Sequence, residues 1–317
     1  MNIIEFGDCR DIMRRWASEG VKAQTCVTSP PYYGLRDYGR DGQIGLEETP
    51  EEYIAAMVEV FRCVRDVLAD DGTVWLNIGD SYYNYRPGKG QALVKQSVAN
   101  NDQDLPQTCA RRGNKLDGLK EKDLIGIPWM LAFALRADGW YLRQDIIWHK
   151  PNPMPESVND RCTKSHEYIF LLTKSQRYYY DRESIREEIK ESTNGKAGVR
   201  RSGDSKTRSR EHWGVPHNPE NVIVEYDEIK GANKRSVWTI PTKPYEGAHF
   251  AVFPSDLIEP CILAGAPVGG IVLDPFMGSG TTAQVAQNLG RQYIGCELNT
   301  DYKPLQDNRV AQQALVL

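Results

Sequence analysis

Apolar and polar positions alternate along the chain with two different periods. Several short runs are apolar or rich in β-branched residues, as expected of buried strands. These runs are NIIEFGD, AQTCVTS, TVWLNIGD, DIIWHK, HEYIFLLTK, GGIVLDPF and RQYIGCELN. Between them, residues 50–72 place apolar side chains at helical spacing, with Thr49 and Pro50 as start signals and Gly72 as the end. Strands that alternate with helices predict an α/β fold with a mostly parallel sheet covered on both faces.

Two polar segments interrupt the alternation of predicted strands and helices. Residues 82–122 are rich in Gly, Asn, Gln and Arg without a clear period, which predicts a long loop insertion after a strand. Residues 191–232 contain the run KAGVRRSGDSKTRSR, in which six basic residues face a single acid, Asp204. A basic run on its own is typical of a solvated loop, so its role has to be judged from motifs elsewhere in the chain.

Composition narrows the class of protein. The 317 residues are 40% hydrophobic and 26% charged, which fits a soluble globular protein with a substantial core. The chain has no stretch of about 18 apolar residues and no charged-then-apolar leader, so we expect a cytoplasmic protein without membrane contact. Seven cysteines form no CxxC pair, which argues against a metal site. The net charge of −4 averages over all faces and does not decide whether nucleic acid is bound.

The run IVLDPFMGSGTT near the C-terminus has the form of a ligand cradle. An apolar strand ends at Asp274, and a turn with Gly278 and Gly280 leads into a helix. Glycines let a ligand approach the backbone, while the start of a helix offers free N–H groups. The lysine of a phosphate loop is missing, which argues against a triphosphate. About twenty residues later Glu297 ends the next strand, where an acid commonly receives ribose hydroxyls.

The sequence TSPPY at 28–32 follows the apolar run AQTCV. Its two prolines fix the backbone, so the segment leaves the strand as a stiff arm. An exocyclic amine on a nucleobase is a weak nucleophile, and it gathers positive charge when it attacks a methyl sulfonium. Acceptors beside that nitrogen stabilise the transition state more than the ground state. Ser29 Oγ and the carbonyl oxygen of Pro30 are the candidate acceptors, and Tyr32 is the candidate to stack on the base.

Together, the TSPPY arm and the glycine bend resemble the two signature motifs of the S-adenosylmethionine-dependent DNA amino-methyltransferases, which modify adenine N6 or cytosine N4. The catalytic motif comes first and the cofactor motif last, an order similar to the permuted beta class. The resemblance implies a Rossmann-like methyltransferase fold with a seven-stranded, mostly parallel sheet and an antiparallel late strand. It also implies S-adenosylmethionine as cofactor, double-stranded DNA as partner, a homodimer, and a place near the nucleoid of a bacterial or phage-infected cell.

The resemblance further implies a division of the chain. Residues 1–180 correspond to the catalytic half, with the loop insertion at 82–122, and residues 241–317 to the cofactor-binding half. The region between them, 181–240, corresponds to the inserted target-recognition region. The basic run falls inside it, so we expect its side chains to neutralise DNA phosphates. The target base has to be rotated out of the duplex to reach the cofactor.

Roles are carried over to particular residues. The catalytic motif comprises Ser29, Pro30, Pro31 and Tyr32. The residues expected to hold the cofactor are Asp8, Cys9, Thr28, Phe250, Phe253, Pro254, Asp274, Pro275, Phe276, Gly278, Ser279, Gly280, Thr281, Thr282, Glu297 and Asn299. The residues expected to contact DNA are Trp148, Lys150, Lys196, Arg200, Arg201, Lys206, Arg208, Arg210, Arg111 and Arg112. The two histidines near the predicted late strands, His149 and His166, are interpreted as structural or supporting residues.

The sequence leaves alternatives open. A serine before the prolines is traditionally linked with cytosine N4, yet solitary members of the family more often modify adenine, so adenine N6 is favoured by a narrow margin. Related enzymes that methylate a glutamine amide use a comparable Pro-Pro-Tyr turn, but they usually carry Asn before the prolines and place the cofactor motif first. A DNA-binding regulator that keeps the cofactor pocket without turnover is the third alternative.

Overall fold

A single eight-stranded sheet organises the larger part of the chain. The computed structural model describes residues 1–83, 118–188, 231–242 and 253–311. The strands are β1 Asn2–Phe6, β2 Ala23–Thr28, β3 Leu68–Ile78, β4 Tyr141–His149, β5 His166–Thr173, β6 Val237–Thr239, β7 Ile271–Asp274 and β8 Gln292–Glu297. Their spatial order is β1-β8-β7-β2-β3-β5-β4-β6.

Only β5 runs against its neighbours. It pairs antiparallel with β3 and β4, whereas every other pair of strands in the sheet is parallel. The predicted mostly parallel sheet with an antiparallel late strand is therefore confirmed. The sheet has eight strands instead of seven because the three-residue β6 adds to the edge beside β4.

Helices cover both faces of the sheet. They are α1 Cys9–Ser18, α2 Pro50–Val67, α3 Ile127–Ala137, α4 Ser255–Gly265, α5 Thr281–Asn288 and α6 Lys303–Ala311. Val74 and Leu76 of β3 share a core with α1, α2 and α3, while Gly265 of α4 lies against Thr73 and Trp75. Successive residues of a strand point to opposite faces, so α4 covers the other face. Within the described residues no helix is long and apolar enough to cross a membrane.

The start of α2 follows the sequence signals, but its end does not. Thr49 Oγ1 accepts from Glu52 N at 3.1 Å, and Glu52 Oε2 accepts from Thr49 N at 3.1 Å, which closes a capping box. The predicted end at Gly72 is wrong, because the helix stops at Val67. Leu68 is already extended, fully buried and paired with Ala23 of β2. Tertiary pairing thus overrides the local helical pattern.

The two ends of the predicted loop insertion lie side by side. Tyr82 and Leu124 form an antiparallel bridge, and Tyr83 N donates to Asp123 O at 2.8 Å. Tyr83 is buried. The insertion therefore leaves and re-enters the fold at one place, directly after β3 and before α3.

The chain divides into two units. One comprises Met1–Asp181 and Arg235–Leu317 and contains the sheet; the other comprises Arg182–Lys234. In the described part of the second unit, a 3₁₀ turn at Glu183–Ile185 precedes a bridge between Glu187 and Ala232. The boundaries 181–240 of the target-recognition region stay a prediction, although β6 at their C-terminal end belongs to the sheet.

Candidate active site

The TSPPY arm and the glycine bend meet at the carboxyl edge of the sheet. β2 and β7 are adjacent parallel strands, so Thr28 and Asp274 at their ends come together. Thr28 Oγ1 donates a hydrogen bond to Asp274 Oδ1 at 2.7 Å. Thr282 Oγ1 at the start of α5 donates to Asp274 Oδ2 at 2.7 Å, and Phe276 N donates to Oδ1 at 3.0 Å. One carboxylate therefore joins both motifs.

Asp274 is a structural centre of the site. Its side chain is only 1% exposed, and burial raises its pKa to about 6 against the lowering effect of its hydrogen bonds. Both oxygens are taken by protein donors, and the residue does not line the adjoining cavity. Its arrangement indicates that it holds the two motifs in place.

A cavity of about 1000 Å³ is lined by both motifs. All four residues of the catalytic motif, Ser29 to Tyr32, lie on its wall. The predicted cofactor residues on the wall are Asp8, Cys9, Phe253, Pro275, Phe276, Gly278, Ser279, Thr281, Glu297 and Asn299. Those that are described but absent from the wall are Thr28, Pro254, Asp274, Gly280 and Thr282. Phe250 lies outside the described residues.

The glycine bend is built around Glu297. The carboxylate of Glu297 accepts from Gly278 N and from Asn299 N, both at 2.7 Å. It is 9% exposed, and burial raises its pKa to about 7. Gly278 and Gly280 adopt φ values of 56° and 87°, the left-handed region that favours glycine. A Cβ at position 280 would lie 3.3 Å from the Cα of Gln306, so the turn also packs closely against α6.

Ser279 supplies a polar group without a protein partner. Its hydroxyl is buried, with the residue 2% exposed, and finds no hydrogen bond among the described residues. Ser279 lines the cavity. A buried hydroxyl of this kind is usually satisfied, so a polar ligand in the cavity is the natural partner.

The start of α1 closes the same end of the cavity. Asp8 caps the helix by accepting from Arg10 N at 2.8 Å, and its hydrogen bonds to the Arg10 side chain lower its pKa. The neighbouring Cys9 is buried, and burial raises the pKa of its thiol to about 12. Both residues line the cavity, so α1 presents a carboxylate and a neutral thiol to it.

On the other side of the cavity Tyr32 is fixed from two directions. Its ring lies over Gly79, where a Cβ would be 2.6 Å from the ring carbon Cε2. Its hydroxyl donates to Glu167 Oε2 at 2.8 Å and lies 3.3 Å from Asn77 Oδ1. Burial and the nearby Glu167 hold the pKa of Tyr32 well above its usual range, so the phenol stays neutral. The ring is thus held in one plane at the cavity wall.

The serine and prolines of the arm are positioned beside this ring. Ser29 Oγ donates a long hydrogen bond of 3.5 Å to the Tyr32 hydroxyl. The carbonyl oxygen of Pro31 accepts from the Tyr53 hydroxyl at 2.9 Å, which anchors the arm to α2. The Ser29 oxygen keeps its lone pairs for a ligand when its proton points to Tyr32.

Sequence reasoning missed Asn77 and Glu167. Asn77 Nδ2 donates to Glu167 Oε2 at 3.3 Å and to Tyr168 O at 3.2 Å across the β3–β5 pair. Glu167 Oε1 forms an ion pair with Lys150 Nζ. One sequence signal could have identified them. Asn77 and Glu167 are polar residues near one end of the apolar runs TVWLNIGD and HEYIFLLTK, at the same edge of the sheet.

Trp148 and Lys150 line the cavity next to this pair. Lys150 Nζ lies 4.2 Å from the centre of the Trp148 ring, within range of a cation–π contact. Trp148 Nε1 donates to Ile240 O at 2.8 Å. Their predicted contact with DNA stays a prediction.

The other predicted DNA contacts lie outside the described residues: Lys196, Arg200, Arg201, Lys206, Arg208, Arg210, Arg111 and Arg112.

Neither histidine near the site forms a nucleophile–base pair with a cavity residue in the contacts of the described chain. His166 lines the cavity, and burial lowers its pKa, which favours the neutral ring. His149 Nδ1 contacts Thr239 Oγ1 at 3.1 Å between β4 and β6. The described residues contain no group of three or more His, Cys, Asp or Glu side chains able to hold a metal ion.

Comparisons with known proteins identify the family of the chain. The sequence profile of the DNA methylase family N6_N4_Mtase matches residues 23–307. The Type II methyltransferase M.Cfr9I of Citrobacter freundii is 47% identical over 304 residues, which cover 96% of this chain and 86% of that protein.

Two solved structures share the fold. The M1.HpyAVI-SAM complex has a TM-score of 0.55 at 16% identity, covering 98% of this chain and 99% of that chain. PvuII DNA methyltransferase (cytosine-N4-specific) has a TM-score of 0.60 at 17% identity, covering 97% and 86%. The profile match and the 47% identical relative show that this chain belongs to the DNA methylase family of N6 and N4 amino-methyltransferases.

Proposed function

We propose that the protein transfers a methyl group from S-adenosylmethionine to the exocyclic amine of a base turned out of double-stranded DNA. The observation that carries this proposal is the hydrogen bond between Thr28 and Asp274, because it brings the TSPPY arm and the glycine bend to one cavity. An amine and its methyl donor have to meet within a single enclosed space for such a transfer.

The glycine-bend side fits the cofactor. S-adenosylmethionine supplies an electrophilic methyl group on a sulfonium. The carboxylate of Glu297 suits ribose hydroxyls, and the unpartnered hydroxyl of Ser279 suits a polar group of the amino-acid moiety. Phe253 and Phe276 provide apolar wall at the same cavity. These residues would hold and orient the donor without contributing a covalent bond.

The arm side fits the amine. Ser29 Oγ and the Pro30 carbonyl oxygen would accept the two N–H groups and stabilise the positive charge that develops on nitrogen. Tyr32 would stack on the base, and its neutral hydroxyl is anchored on Glu167. After transfer the amine proton leaves to solvent, so the step needs no strong general base.

Between the two bases, the position of Lys150 favours cytosine, although the sequence alone narrowly favours adenine. Lys150 Nζ is joined to the Tyr32 hydroxyl through the single carboxylate of Glu167. On the Watson–Crick edge, cytosine presents two acceptors, N3 and O2, beside its amine, whereas adenine presents N1 followed by a C–H and carries its other acceptor, N7, on the opposite side of the amine. An ammonium group beside the stacking ring therefore has more to donate to on cytosine.

The basic run at residues 196–210 is proposed to bind the DNA phosphates. Each phosphate neutralised by a lysine or arginine contributes about −0.9 to the slope of log affinity against log salt. The double variant Arg200→Gln with Arg201→Gln should weaken DNA binding and reduce the magnitude of this slope by about one to two units. An unchanged slope would return the run to the solvated-loop interpretation.

The beta-class order also supports a homodimer. Sedimentation velocity of the free protein should give a mass near twice that of one chain, 35.9 kDa. A monomer at micromolar concentration that still methylates DNA would remove this part of the proposal.

Transfer itself is tested with S-adenosylmethionine that carries a tritiated methyl group. Plasmid DNA is incubated with the protein, digested to nucleosides and separated, with the Tyr32→Ala variant, in which transfer should be strongly reduced, as the control. We expect label in N4-methylcytosine. Label in N6-methyladenine would keep the transfer and overturn the choice of base. Label in protein glutamine, or no transfer to DNA under any condition, would overturn the proposal.

A further inference from the structure

The loop between β4 and β5 presents an exposed methionine at the rim of the cavity. Met154 is 78% exposed, yet it lines the cavity together with its neighbour Pro153. A residue that is both solvent-exposed and part of the wall lies at the mouth. An isolated exposed apolar side chain is ordinary on a protein surface, so its surroundings have to decide whether it acts.

The loop is clamped on both sides of Met154. On one side, the amide of Asn152 donates to Thr242 O at 3.0 Å and accepts from Thr242 N at 2.9 Å. On the other side, Glu156 accepts from the Arg161 side chain at 2.6 Å and from Lys164 N at 3.2 Å. These contacts fix both ends of residues 153–155, which we call the tip of the loop, while the Met154 side chain stays exposed to solvent.

Prolines stiffen the same tip. Residues 151, 153 and 155 are proline, so Met154 stands between two residues whose φ is fixed by the ring. A tip of this kind loses little backbone entropy when it is buried by a partner. The chain therefore presents a thioether side chain on a rigid support.

The tip belongs to the amine-binding side of the cavity. Lys164, at the far end of the loop, donates from Nζ to Asp80 O at 3.1 Å. Asp80 follows Gly79, on which the Tyr32 ring lies. Lys150, at the near end, forms the ion pair with Glu167. One end of the loop is thus fixed next to the glycine on which the Tyr32 ring lies, and the other end is fixed to the carboxylate that accepts from the Tyr32 hydroxyl.

We propose that Met154 enters the DNA base stack and fills the space that the target base leaves when it turns into the cavity. This inference rests on the proposed function, because it requires a duplex whose target base is extruded. Apolar side chains, methionine among them, are used by DNA-binding proteins as wedges between base steps. The flexible and polarisable thioether suits an irregular gap better than a branched side chain does.

The test compares Met154→Ala with wild type in single-turnover methylation of a short duplex under saturating S-adenosylmethionine. We expect the rate on a fully paired duplex to fall by about ten-fold, which corresponds to about 1.4 kcal/mol. Met154→Leu should recover most of the rate because it restores apolar volume. The Val268→Ala variant is the matched control, since Val268 is 76% exposed and does not line the cavity; its rate should equal that of wild type.

A second duplex separates this role from a general loss of activity. It carries a pyrene nucleotide opposite the target base, so that the pyrene fills the stack in place of the protein. Met154→Ala should methylate this duplex at the wild-type rate. Full activity of Met154→Ala on the paired duplex, or an equal loss on both duplexes, would overturn the inference. Failure of wild-type protein to methylate either duplex would instead reject the proposed function.

Discussion

The two ends of the cavity are built by different means. At the glycine bend, the backbone N–H groups of Gly278 and Asn299 converge on Glu297, which lies 19 and 2 residues from them in sequence, and positive-φ glycines shape the chain. At the TSPPY arm, side chains from separate strands converge on Tyr32, with Glu167 lying 135 residues away in sequence. The first end is made by local backbone geometry and the second by tertiary contacts.

This difference matters for what each end can do. A backbone cradle offers fixed donors to a ligand that is the same in every turnover, as a methyl donor is. A side-chain network offers charged and polar groups of different kinds, and Lys150, Glu167 and Asn77 form such a network with the Tyr32 hydroxyl. On the proposed function, the base would be recognised by the TSPPY arm and the strands β3, β4 and β5 that support it, and the cofactor would be held by the turn after β7.

The largest expected effect separates the two ends. Tyr32→Ala removes the stacking ring, and base–aromatic stacking is worth about 1–3 kcal/mol, so methyl transfer should fall by about a hundred-fold. Cofactor affinity, measured by calorimetry, should stay within about two-fold of wild type because Glu297 and Ser279 are untouched. Tyr32→Phe keeps the ring and loses the hydroxyl contacts with Glu167, Asn77 and Ser29, so it should retain most of the rate. An equal loss of cofactor binding in Tyr32→Ala would contradict the division.

A change at Asp274 should damage both ends together. Asp274→Ala removes the acceptor shared by Thr28 and Thr282, and leaves their buried hydroxyls unpaired. We expect the free energy of unfolding in urea to drop by about 2 kcal/mol, with weaker cofactor binding and slower transfer. Loss at one end alone would show that the ends are independent.

The pH dependence of this stability has a defined sign. Burial raises the pKa of Asp274 to about 6 from its ordinary value of 3.8. The folded protein therefore holds the proton more tightly, and the stability from this group is full below about pH 4 and is lost as pH rises through 6. Asp274→Asn has no such titration, so the stability of wild type relative to this variant should decrease between about pH 4 and pH 7 and stay level above that range.

The smallest effect concerns Glu297. Burial raises its pKa to about 7, and the ionised carboxylate is the better acceptor for ribose hydroxyls. Cofactor affinity should therefore increase by up to about ten-fold between pH 6 and pH 8 in wild type. Glu297→Gln should bind more weakly and lose this pH dependence. A wild-type profile that is flat over this range would remove Glu297 from the ribose-binding role.

Local signals in the sequence predicted much of the fold. The start of α2 at Thr49 and Pro50 and the turn at Gly278 and Gly280 depend on residues a few positions apart, so short-range chemistry identified them. The predicted end of α2 at Gly72 was wrong because Leu68 already pairs with Ala23 in the sheet. The strand β6 escaped prediction because three residues carry no readable period.

In the candidate site too, the sequence predicted local features and missed contacts between residues that are far apart in the chain. Each motif was identified from its own residues. Their meeting at one cavity depends on the contact between Thr28 and Asp274, which are 246 residues apart. Glu167 was missed because its role depends on Tyr32 and Lys150, which the sequence does not place beside it. Long-range partners of this kind follow from strand order, which periodicity alone does not determine.

The central claim is that one cavity holds the amine and the methyl donor at its two ends. The most direct test is a crystal structure of the protein with S-adenosylhomocysteine and a short duplex that contains the mapped target site. We expect the target amine within about 3 Å of Ser29 Oγ and the Pro30 carbonyl oxygen, with Glu297 on the ribose at the opposite end. A flipped base bound away from Tyr32, or a cofactor bound outside the glycine bend, would contradict the account.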